Sequence, residues 1–326
     1  MDDSRINPDG TPTLAQVAAR AGVSPITVSR VVRLPDMVAE ATRERVETAM
    51  RELGYVPNLV AGSLASARTR AVGVLVPTVA NAIFADTIQG ISDTLEPLGY
   101  AVFLAQSHYD DAREEKMLSA LLARRPEALI MVGSPATAAG ARMLRRAGIP
   151  VVETWDLPTN PIDAVAGFDN KAAGAAVARH FASVGRRKLA FIGGDDPRAG
   201  RRWAGFYQAA QEAGLEPPLR LVLARNAGAG VAAAADLTGR DGVFAANDAL
   251  AFGLLAGLRQ AGRRVPEDVG VVGLGDLEIG RLIFPTLSTV RIDGEAIGRT
   301  AGLLTVSRDG PRRIDLGFSL VVRETG

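Results

Sequence analysis

Cysteine is absent from the 326 residues, which excludes disulfide scaffolds, thiolate zinc sites and cysteine nucleophiles. Histidine occurs only as His108 and His180, far apart in the chain. A His-rich metal centre or a Ser-His-Asp triad therefore lacks its raw material. No apolar run reaches the roughly 18 residues that suggest a membrane span. The polar, acidic stretch from Met1 to Thr13 has no hydrophobic signal core. These absences point to a cytoplasmic protein with no membrane partner. The chain also lacks G-x-x-x-x-G-K-[ST], G-x-G-x-x-G after a strand, and G-x-S-x-G. Gly273-Leu274-Gly275 is a fragment of the second, and Gly193-Gly194-Asp195-Asp196 is too acidic to favour phosphate. No enzyme activity, metal or cofactor is expected.

Lysine is scarce too: 37 basic residues include three lysines, at 116, 171 and 188. Net charge is +1, but unevenly spread. Residues 1–10 carry one Arg against three Asp. Residues 11–70 carry eight Arg against Asp36, Glu40, Glu44, Glu47 and Glu52, and the remainder is neutral. The positive excess thus sits in one short module, as a polyanion partner would require, though a solvated arginine-rich face would look the same. Hydrophobic residues at 47% and charged residues at 22% are those of a globular chain, with length for about two domains.

Three segments follow. Residues 11–56 read as three short helices. Thr13 caps a helix whose apolar face is Leu14, Val17, Ala18 and Ala21, and Gly22 ends it. Ser24 caps a second, with Pro25 at its first position and Val28, Val31 and Val32 inward. A third follows Pro35, with Val46, Ala49, Met50 and Leu53 on one face and Gly54 closing it. Two helices joined by a short turn at Gly22 make a helix-turn-helix candidate. Residues 57–70 form a connector, with two helical turns predicted over Leu59–Ala67, weakened by Gly62. From Ala71 onward, apolar runs such as AVGVLVP, AVFLA and ALIMV alternate with helical stretches. That alternation predicts parallel α/β sheets, either one barrel or two doubly wound halves.

The string LAQVAARAGVSPITVSRVV, residues 14–32, fits major-groove reading. The capped helix starts at Thr13-Leu14 and Ser24 offer backbone N–H groups to phosphate, and Pro25, Ile26 and Thr27 project from the second helix's first turn. Thr27, Arg30 and Val31 share a face that Ser29 and Arg33 extend. Arginine there can pair with guanine or with phosphate. Together with TRERVETAMRELGYVPN, VAGSLA, FAANDALAFGLL, VPEDVGVVGLGD and PTLSTVRID, these strings resemble the Lac repressor/galactose repressor family along nearly the whole chain.

That resemblance implies a transcriptional regulator with a defined layout. Residues 1–10 form a flexible N-terminus, 11–56 a DNA-binding headpiece and 57–70 a hinge helix. Residues 71–326 form a two-lobed, periplasmic-binding-protein-like core, with one lobe at about 71–168 plus 292–312 and the other at about 169–291 plus 313–326. It places Pro25, Ile26, Thr27, Ser29 and Arg30 in the recognition helix, Tyr55 and Asn58 at the hinge contacts, and Leu64 as an apolar wedge at the operator centre. Effector contacts are implied at Arg202, Asn247 and Phe244; at Asn81, Ile83 and Phe84 after the first strand; and at Asp156, Asp169 and Asp276. Asp169 and Asp248 can equally be helix caps. Gly275 stands where the family often has an acidic residue, and VVETWD, VAGFDN and DLGFSL resemble the gluconate-responsive branch. The expected partners are palindromic operator DNA, a sugar or sugar-acid effector and a second copy of the chain. The competing expectation is a transporter's solute-binding protein.

Overall fold

The computed structural model describes residues 11–57 and 69–326. The chain folds as two compact units that divide between Thr69 and Arg70.

The smaller unit holds α1 (Leu14–Ala21), α2 (Pro25–Arg33) and α3 (Glu40–Leu53). Local chemistry sets each boundary. Thr13 and Gln16 form a reciprocal capping box: the Thr13 hydroxyl accepts from Gln16 N at 3.3 Å, and Gln16 Oε1 accepts from Thr13 N at 2.7 Å. Gly22 closes α1 in the left-handed conformation at φ 65, which glycine adopts without steric cost. Ser24 accepts from Thr27 N at 3.2 Å, with Pro25 at the first helical position. Val17, Ala18, Ala21, Val28, Val31, Val46 and Ala49 meet in one core. Val32, expected inward, is only half-buried, and Val23 and Val38 pack there instead.

The larger unit contains two six-stranded sheets. The first comprises β1 (Ala71–Val76), β2 (Ala101–Gln106), β3 (Ala128–Val132), β4 (Val151–Thr154), β5 (Ala164–Gly167) and β11 (Arg313–Asp315), in the order β11-β5-β4-β3-β1-β2 and wholly parallel. The second comprises β6 (Leu189–Gly193), β7 (Leu219–Val222), β8 (Gly242–Ala245), β9 (Gly270–Gly275), β10 (Ser288–Arg291) and β12 (Ser319–Val321), in the order β12-β10-β9-β8-β6-β7. Two doubly wound halves, not a barrel, are the outcome. One pairing departs from the parallel expectation: β12 runs antiparallel to β10. The lobe boundary expected at 312 also moves, because β11 pairs with β5 in the first sheet. The chain therefore passes between lobes after β5, after β10 and between β11 and β12.

Helices cover both sheets: α4 (Ala85–Leu95), α5 (Asp111–Leu122), α6 (Ala138–Ala147) and α11 (Gly294–Val306) in the first lobe, and α7 (Asn170–Ser183), α8 (Pro197–Glu212), α9 (Ala227–Asp236) and α10 (Asp248–Gln260) in the second. Glycine sets how closely they approach. A side chain at Gly174 of α7 would overlap the Arg202 carbonyl of α8, and one at Gly205 of α8 would overlap the Lys171 carbonyl of α7. Backbones that near exclude any side chain from the crossing.

Candidate functional site

In the smaller unit, α2 presents its first turn to solvent. Ile26 is 72% exposed, an unusual position for a large aliphatic residue at a helix start, and Ser24, Pro25 and Arg30 are exposed beside it. The Ser24 and Thr27 hydroxyls lie 2.9 Å apart, a hydrogen bond that joins the cap to the first turn. A capped, exposed helix N-terminus with mixed apolar and cationic side chains suits insertion into a groove of DNA.

In the larger unit, residues at and beyond the C-terminal ends of strands in both lobes line a cleft, where ligands of open α/β sheets bind. The first lobe contributes Asn81, Ile83, Phe84, Tyr109 and Trp155; the second contributes Asp196, Arg198, Arg202, Arg225, Asn247 and Leu274, with Gly194 and Ala246 between them. Trp155 is fixed edge-on to Phe84 at 5.2 Å and donates to Thr87 Oγ1 at 3.0 Å.

Charge dominates the second lobe's side. Arg202 donates to Asn170 Oδ1, and Asn170 in turn donates to Asp156 Oδ1 at 3.1 Å and to the Trp155 carbonyl at 2.9 Å. Burial brings the Arg202 guanidinium down to about 10 against the pull of Asp196, so it remains cationic at neutral pH. Asp196 accepts from Arg225 Nε at 3.2 Å and Nη2 at 3.1 Å. Burial pushes its carboxyl up, but Arg198, Arg202 and Arg225 outweigh that and hold it at about 2. Arg225 lies over the Tyr109 ring, 3.7 Å from its centroid.

Two family profiles match the chain: bacterial regulatory proteins of the lacI family over residues 13–58, and a periplasmic binding protein-like domain over 178–325. Over 99% of its length, the chain is 39% identical to the HTH-type transcriptional regulator GntR of Pseudomonas aeruginosa, spanning 98% of that protein. The chain belongs to the lacI family of bacterial regulatory proteins. A lacI-family regulator of Silicibacter pomeroyi superposes with a TM-score of 0.87 at 32% identity, over 96% of this chain and 98% of that one. The lac repressor dimer bound to operator and an anti-inducer does so with a TM-score of 0.83 at 27% identity, over 97% and 99%. The chain is thus a DNA-binding transcriptional regulator and not an enzyme, and the solute-binding expectation is not favoured.

Within this lacI-family frame, the expected residues fall into place unevenly. In the headpiece, Ser24, Pro25, Ile26 and Arg30 face solvent, while Thr13, Thr27 and Ser29 are half-buried. Leu14 and Tyr55 pack against the headpiece core. Arg33 is the last residue of α2. Val31 is 5% exposed and so does not share the outward face with Thr27 and Arg30. Asn58, Leu64, the helix expected over 59–67 and the flexible N-terminus expected over 1–10 lie outside the described residues.

In the core, Asn81, Ile83, Phe84, Arg202 and Asn247 converge on the cleft. Four expected contacts do not line it. Phe244 is fully buried and packs edge-on against Phe191 at 5.4 Å. Asp169 caps α7 through Ala172 N at 2.9 Å. Asp156 is buried under an ion pair with Arg201. Asp276 gathers Arg281 at 2.9 Å, Arg291 at 2.6 Å and Arg323 at 2.5 Å. Sequence reasoning missed Tyr109, Trp155, Asp196 and Arg225. Asp196-Pro197 had a usable signal, an N-cap followed by proline at the first helical position.

Asp248 lies beneath the cleft, accepting from Leu277 N at 2.8 Å and Thr289 Oγ1 at 2.7 Å. Burial lifts its carboxyl from an ordinary 3.8 to about 6, despite those two donors. The fold therefore favours the protonated form. Its stabilising contribution is whole below about pH 4 and is lost as pH rises through about 6, for a cost on the order of 3 kcal/mol. Asp248 should add that decline between pH 4 and 6 to the thermal unfolding of the wild type, and Asp248→Asn should make the slope shallower. Glu114 and Glu153, also raised by burial, supply what remains. An unchanged slope in the variant would assign the titration elsewhere.

Proposed function

We propose that the chain is a repressor whose operator affinity is controlled by a gluconate-like sugar acid in the core cleft. The observation that carries this is the charge of the lining: Arg198, Arg202 and Arg225 against the single carboxylate of Asp196. An aldonate offers one carboxylate for a guanidinium fork and a chain of hydroxyls for Asn81 and Asn247. The similarity to the regulator named GntR agrees with the strings VVETWD, VAGFDN and DLGFSL. A CelR–cellobiose complex with a TM-score of 0.69 at 31% identity supports a saccharide as the scale of ligand.

The headpiece reads a palindromic operator through Ile26, Thr27 and Arg30, as two copies paired through the core lobes. Exposed apolar residues support that pairing: Leu98, Phe103 and Leu104 on the first lobe, Leu282 and Phe284 on the second. The ligand acts only through a difference in its affinity for the operator-bound and free states, about 1.4 kcal/mol for each tenfold change in operator binding.

Fluorescence anisotropy against a palindromic operator library, with salt varied, tests the whole reading. Specific binding that gluconate shifts at least tenfold, while a neutral hexose does not, is expected. Specific binding that no aldonate alters would remove the sugar acid and keep the regulator. Arg30→Ala should weaken specific binding by tenfold or more, about 1–3 kcal/mol if it reads a base. Equal losses on specific and random duplexes would make Arg30 a phosphate contact only.

A further inference from the structure

Asp196 is out of place in a cleft built for an acid. Arg225 directs both Nε and Nη2 at Asp196 Oδ2, 3.2 and 3.1 Å away, and Arg198 Nε lies 3.7 Å from Oδ1. These are the donors that a ligand's carboxylate would use. All three side chains are largely withdrawn from solvent, at 12%, 11% and 22% exposure for Asp196, Arg198 and Arg225, so the attraction between them is weakly screened.

The two arginines are also held independently of Asp196. Arg225 rests on the Tyr109 ring and Arg198 lies over the Phe84 ring at 5.6 Å, both rings coming from the first lobe. Gly194 leaves the space that the Arg225 guanidinium fills, where any side chain would collide with it. The guanidiniums therefore keep their places if the carboxylate opposite them loses its charge. Nor does the local backbone need a carboxylate. Asp196 caps α8 by accepting from Ala199 N at 3.1 Å, which asparagine or serine does equally well.

We propose that Asp196 sets the cleft's affinity for acids: its carboxylate occupies the Arg225 and Arg198 donors as an internal stand-in for the ligand's own, and an entering acid must compete with it. This rests on the sugar-acid reading of the cleft. Arg202 donates to Asn170 and not to Asp196, and its buried Nε has no partner among the described residues, so it is the donor least engaged by the stand-in carboxylate. Affinity for acids is thereby held below what three guanidiniums could give.

Calorimetry on the full chain with gluconate, and with glucitol as the uncharged polyol of equal length, decides the matter. Asp196→Asn should bind gluconate at least tenfold more tightly than wild type, with a steeper salt dependence and glucitol binding unchanged. Asp196→Ser, which also caps, should behave alike, and covers the case in which the asparagine variant fails to fold. Weaker or unchanged gluconate binding in folded variants would overturn the inference while leaving the sugar-acid reading intact. Parallel loss of gluconate and glucitol would make Asp196 a hydroxyl acceptor instead. Failure of wild type and variants alike to bind gluconate would overturn the reading and the inference together.

Discussion

Arg202→Ala should lower ligand affinity by two orders of magnitude or more, about 3 kcal/mol, while ligand-free protein still binds its operator. The side chain is 8% exposed and fixed by Asn170, so little ordering remains to be done when an anion arrives. Removing it deletes a preset cation and leaves the buried Asn170 carbonyl without that donor, a cost of about 1–3 kcal/mol in stability. Arg202→Lys should not restore binding, because a point charge cannot reproduce the planar fork that reaches both Asn170 and ligand. Calorimetry gives the ligand term, anisotropy the operator term and a thermal melt the stability term. Retained ligand affinity in a folded Arg202→Ala protein would remove this residue from the site.

Gly174→Val should destabilise the core by about 3 kcal/mol, the upper end for overpacking and a large part of what a domain has. The added methyl groups would meet the Arg202 carbonyl, and a backbone atom inside a helix cannot rotate aside. The helix being pushed is α8, which carries Arg198 and Arg202, so a surviving protein should also lose ligand. Gly200→Ala on that same helix provides the opposite sign. Nothing lies within 4 Å of where its Cβ would stand, and alanine should stabilise by about 0.5–1 kcal/mol. Denaturant titration of both variants checks the pair. Equal effects would mean that close approach is not what glycine supplies at position 174.

The same use of glycine explains what the sequence concealed. The stretches AGAGVAAAAD and GEAIGRTAGLLTV form α9 and α11, although glycine lowers the helix propensity of each. Gly230 and Gly298 stand where a side chain would strike the Leu250 and Thr87 carbonyls, a long-range requirement that no local pattern carries. Buried central strands such as AVGVLV and ALIMV were legible because both faces are apolar. The strands STVR, RID and SLV are short and partly polar, and emerge only from their pairing. In the cleft, Asn247 was legible through the string FAANDALAFGLL and Arg202 through the position it matches in the family resemblance. Tyr109 and Arg225 follow different strands in different lobes, and the fold alone makes them neighbours. Phe244 illustrates the converse: its place in the string was read correctly, but alternation along β8 turns it into the core.

The three passages between the lobes lie side by side, since β5 is paired with β11 and β10 with β12. One strand alone would let the two halves swivel about any axis. Three in a row resist twisting and sideways tilt, and leave bending across the row as the soft direction. Any coupling between the cleft and the rest of the chain that works through this joint has that one direction to work with.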